Sequence, residues 1–320
     1  MGNTAKIAVV VPCYRVKQQV LDVIQNIGPE VGWIICVDDA CPDGSGQWIE
    51  ARARDPRISV IHLPENLGVG GAVMTGYRAA LQVGADVIVK LDGDGQMDPK
   101  LIPAFVRPVA EGRADYVKGN RFFNLEDVKR MPVIRLIGNT ALSFFAKFST
   151  GYWDILDPTN GYTAIQAKVL RVLPLEKISQ RWFFETDMLF RLNTVRAVVM
   201  DIPMTAVYDR EKSNLSISRV ITEFLLKHMR NYCKRIFYNY FLRNFSIASI
   251  ELLIGVALTA FGVIFSIIKW RQSVELGHYA SAGTVMIGAL SIIIGFELLL
   301  AFLNEDMRST PHVPLQGRLQ

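Results

Sequence analysis

Charge is what two stretches of this sequence lack. Residues 246–268 and 280–303 hold one acid each, Glu251 and Glu297, and no base. Each run is long enough to cross a hydrocarbon core of roughly 30 Å, and both are predicted to be transmembrane helices. Cysteine is scarce as well: Cys13, Cys36, Cys41 and Cys233 have no metal-ligand spacing and are expected to be ordinary buried or interfacial thiols in a reducing compartment. There is no internal repeat and no low-complexity tract. The opening Met1-Gly2-Asn3-Thr4-Ala5-Lys6 offers neither the basic and apolar regions nor the cleavage site of a signal peptide, so the large N-terminal part is expected to stay where it is made.

The net charge of +5 is modest, but its placement is not even. Lys227, Arg230, Lys234, Arg235 and Arg243 precede the first apolar run, whereas only Lys269 and Arg271 lie between the two. By the positive-inside rule, this predicts two spans in the cytoplasmic or an equivalent membrane, with both termini and the N-terminal part on the cytoplasmic side. The clustering favours an anionic lipid surface over nucleic acid. Phe224, Leu225, Tyr232, Ile236 and Tyr240 recur near helical spacing among these bases. Such a helix lies in the membrane interface or packs on protein. Because a carboxylate in a span is costly, Glu251 and Glu297 should face protein or sit near an end, and packing into a homo-oligomer is one way to shelter them.

Ahead of the spans, apolar β-branched runs alternate with helical patterns. Residues 6–12, 33–37, 58–61 and 87–91 read as strands, which predicts right-handed crossovers and a parallel sheet covered on both faces. The fourth strand ends in Asp92-Gly93-Asp94-Gly95-Gln96. Two carboxylates one residue apart repel unless a cation sits between them, and oxygen ligands of this kind suit Mg²⁺ or Mn²⁺ with open positions for phosphate oxygens. A solvated Asp/Gly turn is the other reading of these residues alone. Gly68-Val69-Gly70-Gly71-Ala72-Val73 places Val73 where a dinucleotide fingerprint has its third glycine, and it follows the third strand instead of the first. A nicotinamide-dependent oxidoreductase is therefore disfavoured.

Taken in order, Pro12-Cys13-Tyr14, Val37-Asp38-Asp39 with Asp43-Gly44, Asn66-Leu67-Gly68-Val69-Gly70 with Ala72 and Gly76, and Asp92-Gly93-Asp94-Gly95-Gln96 resemble the motifs of glycosyltransferase family 2. The resemblance implies an α/β, Rossmann-like GT-A catalytic domain. It also implies that Pro12, Tyr14 and the Asp38–Asp39 pair line a nucleotide, and that Asp92, Asp94 and Gln96 hold the metal and the donor diphosphate. Many relatives carry a lysine where this chain has Val69.

The later motifs are Asp115 to Arg121, Arg135, Asp157-Pro158-Thr159-Asn160-Gly161-Tyr162, Phe184-Glu185-Thr186-Asp187 and Tyr208 to Ser216. Their order is similar to the dolichol-phosphate mannosyltransferase and polyprenyl-phosphate glycosyltransferase branch. That resemblance implies that Arg121 and Arg135 grip an acceptor phosphate, that Arg210, Lys212 and Ser213 close over the phosphates, and that Asp157 orients a sugar or the acceptor. Without it, Arg121 and Arg135 read as surface ion-pair partners and Glu185 as a helix N-terminal acid. Gln180-Arg181-Trp182 resembles the signature of processive synthases, but with the wrong spacing.

The expected organisation is a catalytic domain over 1–215, amphipathic juxtamembrane helices over 216–244, two transmembrane helices over 245–304 and a cytoplasmic tail over 305–320. The expected activity is inverting, metal-dependent transfer of one sugar from a GDP- or UDP-sugar to a polyprenyl phosphate, with membrane lipid as a further partner. A family relative extending a glycan or another lipid is the alternative, and a non-catalytic module binding sugar nucleotides is the second.

Overall fold

The computed structural model describes residues 5–123, 133–205 and 217–319. Seven strands form one sheet: β1 (Ile7–Cys13), β2 (Val31–Asp38), β3 (Ile58–His62), β4 (Val87–Lys90), β5 (Tyr116–Asn120), β6 (Thr163–Gln166) and β7 (Val199–Pro203), in the order β3-β2-β1-β4-β6-β5-β7. The helices are α1 (Val20–Gln25), α2 (Ser45–Arg52), α3 (Val69–Gln82), α4 (Ile102–Ala110), α5 (Val133–Thr150), α6 (Ala167–Arg171), α7 (Phe184–Thr194), α8 (Ile217–Phe237), α9 (Ile247–Leu276) and α10 (Ala282–Arg308).

Alternation along the strands builds two apolar layers. Val9 and Val11 of β1 face α1 and α4, where Val23, Ile24, Phe105 and Val109 pack. Ala8 and Val10 face α3 and α7, with Tyr77, Met188 and Leu192. A strand buried on both faces needs a run of apolar residues, which is why β1 reads as Ile-Ala-Val-Val-Val in sequence.

The sheet departs from the all-parallel expectation at one strand. β6 runs antiparallel to both β4 and β5, while the remaining pairings are parallel. Its four residues, Thr-Ala-Ile-Gln, carry no signal of direction. The consequence is positional: the chain entering β6 arrives at the same edge of the sheet where β4 and β5 leave it.

Two compact units result. One comprises Met1–Tyr232 with Pro311–Gln320, the other Cys233–Thr310. Within the first, the last residues join the catalytic fold. Leu315 and Leu319 pack against its core, and the Leu315 and Gln316 N–H groups donate to the fully buried Asp115 carboxylate at 2.7 and 2.8 Å.

The second unit is a helical hairpin. α9 begins where Ser246 and Ser249 cap each other, and α10 where Ser281 accepts the Thr284 N–H at 3.2 Å. At 30 and 27 residues, both are long and apolar enough to cross a membrane. Arg235, one of the bases whose clustering favoured an anionic lipid surface, is buried. Its guanidinium reaches both oxygens of the equally buried Asp306 at 2.6 and 2.9 Å, and Tyr240 Oη donates to the same carboxylate at 2.8 Å.

Candidate active site

The carboxyl edge of the sheet collects the chemistry. β4 stops at Lys90, and Gly95 at φ +80° turns the chain back, a conformation that favours glycine. Asp92 is about a quarter exposed, and Asp94 Oδ1 accepts the Gln96 N–H at 3.0 Å. The repulsion expected between the two aspartates is answered partly from within: the ammonium of Lys90, itself buried, lies 2.7 Å from Asp92 Oδ1. Among the described residues no three His, Cys, Asp or Glu side chains cluster as a metal site.

Across the edge, β5 delivers Arg121 and the turn before β6 delivers Asp157. Asp157 is fully buried, and Arg121 grips it through Nε to Oδ2 at 2.7 Å and Nη2 to Oδ1 at 3.0 Å. Asn160 Nδ2 adds a third side-chain donor at 3.3 Å. The same turn reaches the other side of the site. A Cβ at Gly161 would lie 2.6 Å from Asp92 Oδ2, so a larger residue there would push the ends of the Asp92 and Lys90 side chains aside. Strand pairing joins the two halves: Lys90 and Lys118 are both register partners of Thr163.

Under the edge lies a buried row of charge. Lys118 donates to the Asn160 carbonyl, and burial pushes its ammonium down to about 8 despite the nearby Glu185 and Asp157 carboxylates. Burial pushes Glu185 up to about 7, with Lys90 and Lys118 pulling the other way. Asp201 accepts from Leu156 N at 3.0 Å and Asn120 Nδ2 at 3.2 Å, and burial raises it to about 6. Among these, Lys90, Lys118, Asn160 and Asp201 were not singled out from sequence. The available signal was a lysine inside each of two apolar strands, Val-Ile-Val-Lys90 and Tyr-Val-Lys118.

At the end of β1, Pro12 closes the apolar part of the strand and Tyr14 stands 42% exposed beyond it. Asp38 and Asp39 are both 2% exposed. Asp38 accepts the N–H groups of Cys41 and Gly46, each at 2.7 Å, and Asp39 those of Leu67 and Gly68 at 2.7 and 2.9 Å. The acidic pair thus holds two loops in shape. The glycine-rich turn owes its composition to a neighbouring chain: the Gly71 N–H donates to Gln180 O at 2.9 Å, and a Cβ at Gly70 would sit 2.7 Å from the Phe184 Cβ. Arg135 falls in the first turn of α5, but its side chain lies outside the described residues, as do Arg210, Lys212 and Ser213 altogether.

The chain is 34% identical over 187 residues to the undecaprenyl-phosphate mannosyltransferase of Micrococcus luteus, a match covering 58% of this chain and 75% of that one. It is 26% identical to the UDP-N-acetylglucosamine–dolichyl-phosphate N-acetylglucosaminyltransferase of Methanococcus voltae, over 63% of this chain and 86% of that one. Among solved structures, glucosyl-3-phosphoglycerate synthase from Mycobacterium tuberculosis, crystallised with Mn²⁺, UDP and phosphoglyceric acid, superposes with a TM-score of 0.54 at 17% identity. That match covers 72% of this chain and 78% of that one, and identifies the GT-A fold. The model of glycosyl transferase family 2 matches residues 8–173, and the chain belongs to that family of glycosyltransferases.

Proposed function

We propose that this enzyme moves one sugar from a nucleotide-diphosphate sugar to a polyprenyl phosphate at a membrane surface. The observation that carries the reading is the meeting, at one edge of the sheet, of the Asp92–Asp94 turn with the Arg121–Asp157 pair, in a chain that continues into two candidate spans. The relatives from Micrococcus luteus and Methanococcus voltae, both named for transfer to a prenyl phosphate, support it. Since one is a mannosyl- and the other an N-acetylglucosaminyltransferase, the family resemblance leaves GDP- and UDP-sugars both open as donors.

In this reading a phosphate oxygen of the acceptor attacks the anomeric carbon and the bond to the donor diphosphate breaks on the opposite face, inverting the centre. The nucleophile is already ionised at neutral pH, so no strong base is required. Arg121 screens the repulsion between acceptor and donor phosphates and orients the nucleophile, with buried Asp157 fixing the guanidinium plane. Arg135, Arg210, Lys212 and Ser213 are proposed to add further contacts to the phosphates. Pro12, Tyr14 and the loops pinned by Asp38 and Asp39 are proposed to shape the nucleotide pocket.

The residues present fit a divalent ion. Asp92, Asp94 and Gln96 offer only oxygen ligands at a partly exposed turn, and two carboxylates completed by diphosphate oxygens form an ordinary Mg²⁺ or Mn²⁺ site. Such an ion neutralises charge developing on the departing diphosphate. The neighbour crystallised with Mn²⁺ and UDP supports this reading.

Lipid contact is proposed for the 216–244 segment. On α8, Leu225, Leu226 and Met229 are exposed beside Arg230, while His228 and Asn231 are buried. An outward face that is apolar and basic suits an anionic headgroup layer. The excess of bases before α9 over those between α9 and α10 supports a cytoplasmic catalytic unit.

The test is a transfer assay with radiolabelled GDP- and UDP-sugars and one polyprenyl phosphate in vesicles. Asp94→Ala is expected to abolish product with an unchanged circular dichroism spectrum. Retained turnover would remove the metal role, and label appearing in polymer or diacylglycerol would replace the acceptor.

A further inference from the structure

Of the two lysines in the buried row, one turns toward the candidate ion site. Strand alternation puts Lys90 on the face of Ile88, among the apolar residues under α3 and α7, where it is 1% exposed. Lys118 lies on the matching face of β5 with Tyr116, and Glu185 at the start of α7 attracts both ammoniums. Their hydrogen-bonding ends then part. Lys118 turns inward and donates to the Asn160 carbonyl, whereas Lys90 Nζ reaches out to Asp92 Oδ1 at 2.7 Å.

That ammonium is enclosed where it stands. The Phe184 ring centroid lies 5.5 Å from Nζ, the Gly161 backbone passes so close that a Cβ there would collide with it, and the side chain is shut off from water. A buried ammonium that gave up its carboxylate would be strongly disfavoured, so the contact persists. Asp92 therefore has a cation on one oxygen ahead of any ion. With the ammonium counted, the Asp92–Asp94 turn offers a divalent ion one net negative charge instead of two. A site so poor in protein charge needs substrate phosphates to complete it.

We propose that Lys90 is a positioning residue that makes the ion depend on the donor. By holding Asp92 Oδ1, it keeps the turn too weak to retain a divalent ion alone, and the nucleotide diphosphate supplies the missing charge and ligands. Ion and diphosphate then arrive and depart together, which clears the turn for the next donor. A lysine that served the fold alone would act with the opposite sign: without it Asp92 would loosen and ion binding would weaken. Removal of a competing charge strengthens ion binding.

The inference rests on reading Asp92 and Asp94 as an ion site, and the experiment separates the two. Full-length protein in detergent micelles is titrated with Mn²⁺ alone, free ion being followed by electron paramagnetic resonance and only the binding that Asp94→Ala loses being counted. UDP and GDP are titrated by calorimetry in Mn²⁺ and in EDTA. Lys90→Met is expected to bind Mn²⁺ alone about tenfold more tightly than wild type. Lys90→Gln, which keeps a donor toward Asp92 and loses only the charge, is expected to shift the same way. In wild type, Mn²⁺ is expected to tighten one of the two nucleotides about tenfold, and by reciprocity the nucleotide tightens the ion as much. Ion held by wild type without any gain from nucleotide, or variants that bind the ion no better, would overturn the role of Lys90 and leave the ion site standing. The first of these is read on wild type and holds even where neither variant folds. No Mn²⁺ on wild type or either variant, with no effect of Mn²⁺ on either nucleotide, would overturn the ion site and the inference together.

Discussion

Arg121 holds Asp157 by two parallel N–H···O bonds, and Asp157 is closed off from water. A carboxylate in that position cannot be left alone: removing the arginine would strand a buried charge at a cost of about 3–5 kcal/mol, which confuses catalysis with folding. The informative change is Arg121→Lys. It keeps a positive charge but replaces a planar fork with a point, so the pair survives while its geometry does not. The fold is expected to melt within a few degrees of wild type, while kcat/KM for the prenyl phosphate falls at least tenfold. Differential scanning calorimetry beside acceptor-titrated assays checks both. His228 gives a prediction in pH. It is buried against the edge of Phe183, ring centroids 4.9 Å apart, with Nδ1 2.7 Å from Ser149 Oγ, and burial lowers its pKa from 6.5 to about 4. The folded protein therefore keeps it neutral where the unfolded chain binds a proton. Stability from this residue is fully present above pH 6.5 and is lost as pH falls toward 4, at about 1.4 kcal/mol per unit through the window. Unfolding midpoints at pH 7.5 and 5.5 should lie closer together in His228→Phe than in wild type.

At the scale of elements, the helical hairpin is closed by charge as well as by glycines. Arg235, Asp306 and Tyr240 form a buried triad in which every bond runs to one carboxylate. Arg235→Met should therefore cost about 3–5 kcal/mol, most of it the penalty of a buried Asp306 charge left without its cation. Adding Asp306→Leu should recover a large part of that loss, and a double-mutant cycle by urea unfolding in detergent measures it. Parts of this arrangement were legible in sequence and parts were not, for physical reasons. The α9 and α10 runs stand out because lipid excludes charge, and the Asp92–Asp94 turn stands out because strands seldom end in paired acids. Arg235 could not be read as buried, because its partner lies 71 positions away in the last turn of α10. Lys90 and Lys118 obey a rule opposite to the usual one for lysine, burial in a strand, and the nearby carboxylates of Asp92, Asp157, Glu185 and Asp201, drawn from four separate segments, offset its cost. The direction of β6 itself, four residues long, left no trace in its pattern.

For the whole molecule, the decisive connection is the return of the chain to the catalytic unit after the second helix. The segment after Thr310 supplies Leu315 and Leu319 to the core, and Gln316 Nε2 donates to the carbonyls of Val109 and Ala114 at 3.1 and 2.7 Å. Asp115 collects backbone N–H groups from Val198, Leu315 and Gln316 and thereby ties β7 and the returning strap to the start of β5. β5 is the strand that leads to Arg121, so the strap supports the element that delivers the Arg121–Asp157 pair. A chain cut after Tyr232 would lose both apolar anchors and leave Asp115 with one backbone donor in place of three. At about 1 kcal/mol per net hydrogen bond, plus the exposure of two leucines, the deficit comes to about 4 kcal/mol, a large share of a typical domain's stability. A chain in which residues 233–310 are replaced by a flexible Gly/Ser linker, keeping 311–320, should recover that stability and bind a sugar nucleotide in isothermal titration. The chain cut after Tyr232 should melt well below it. Equal melting temperatures for the two would mean that the strap adds nothing to the catalytic unit.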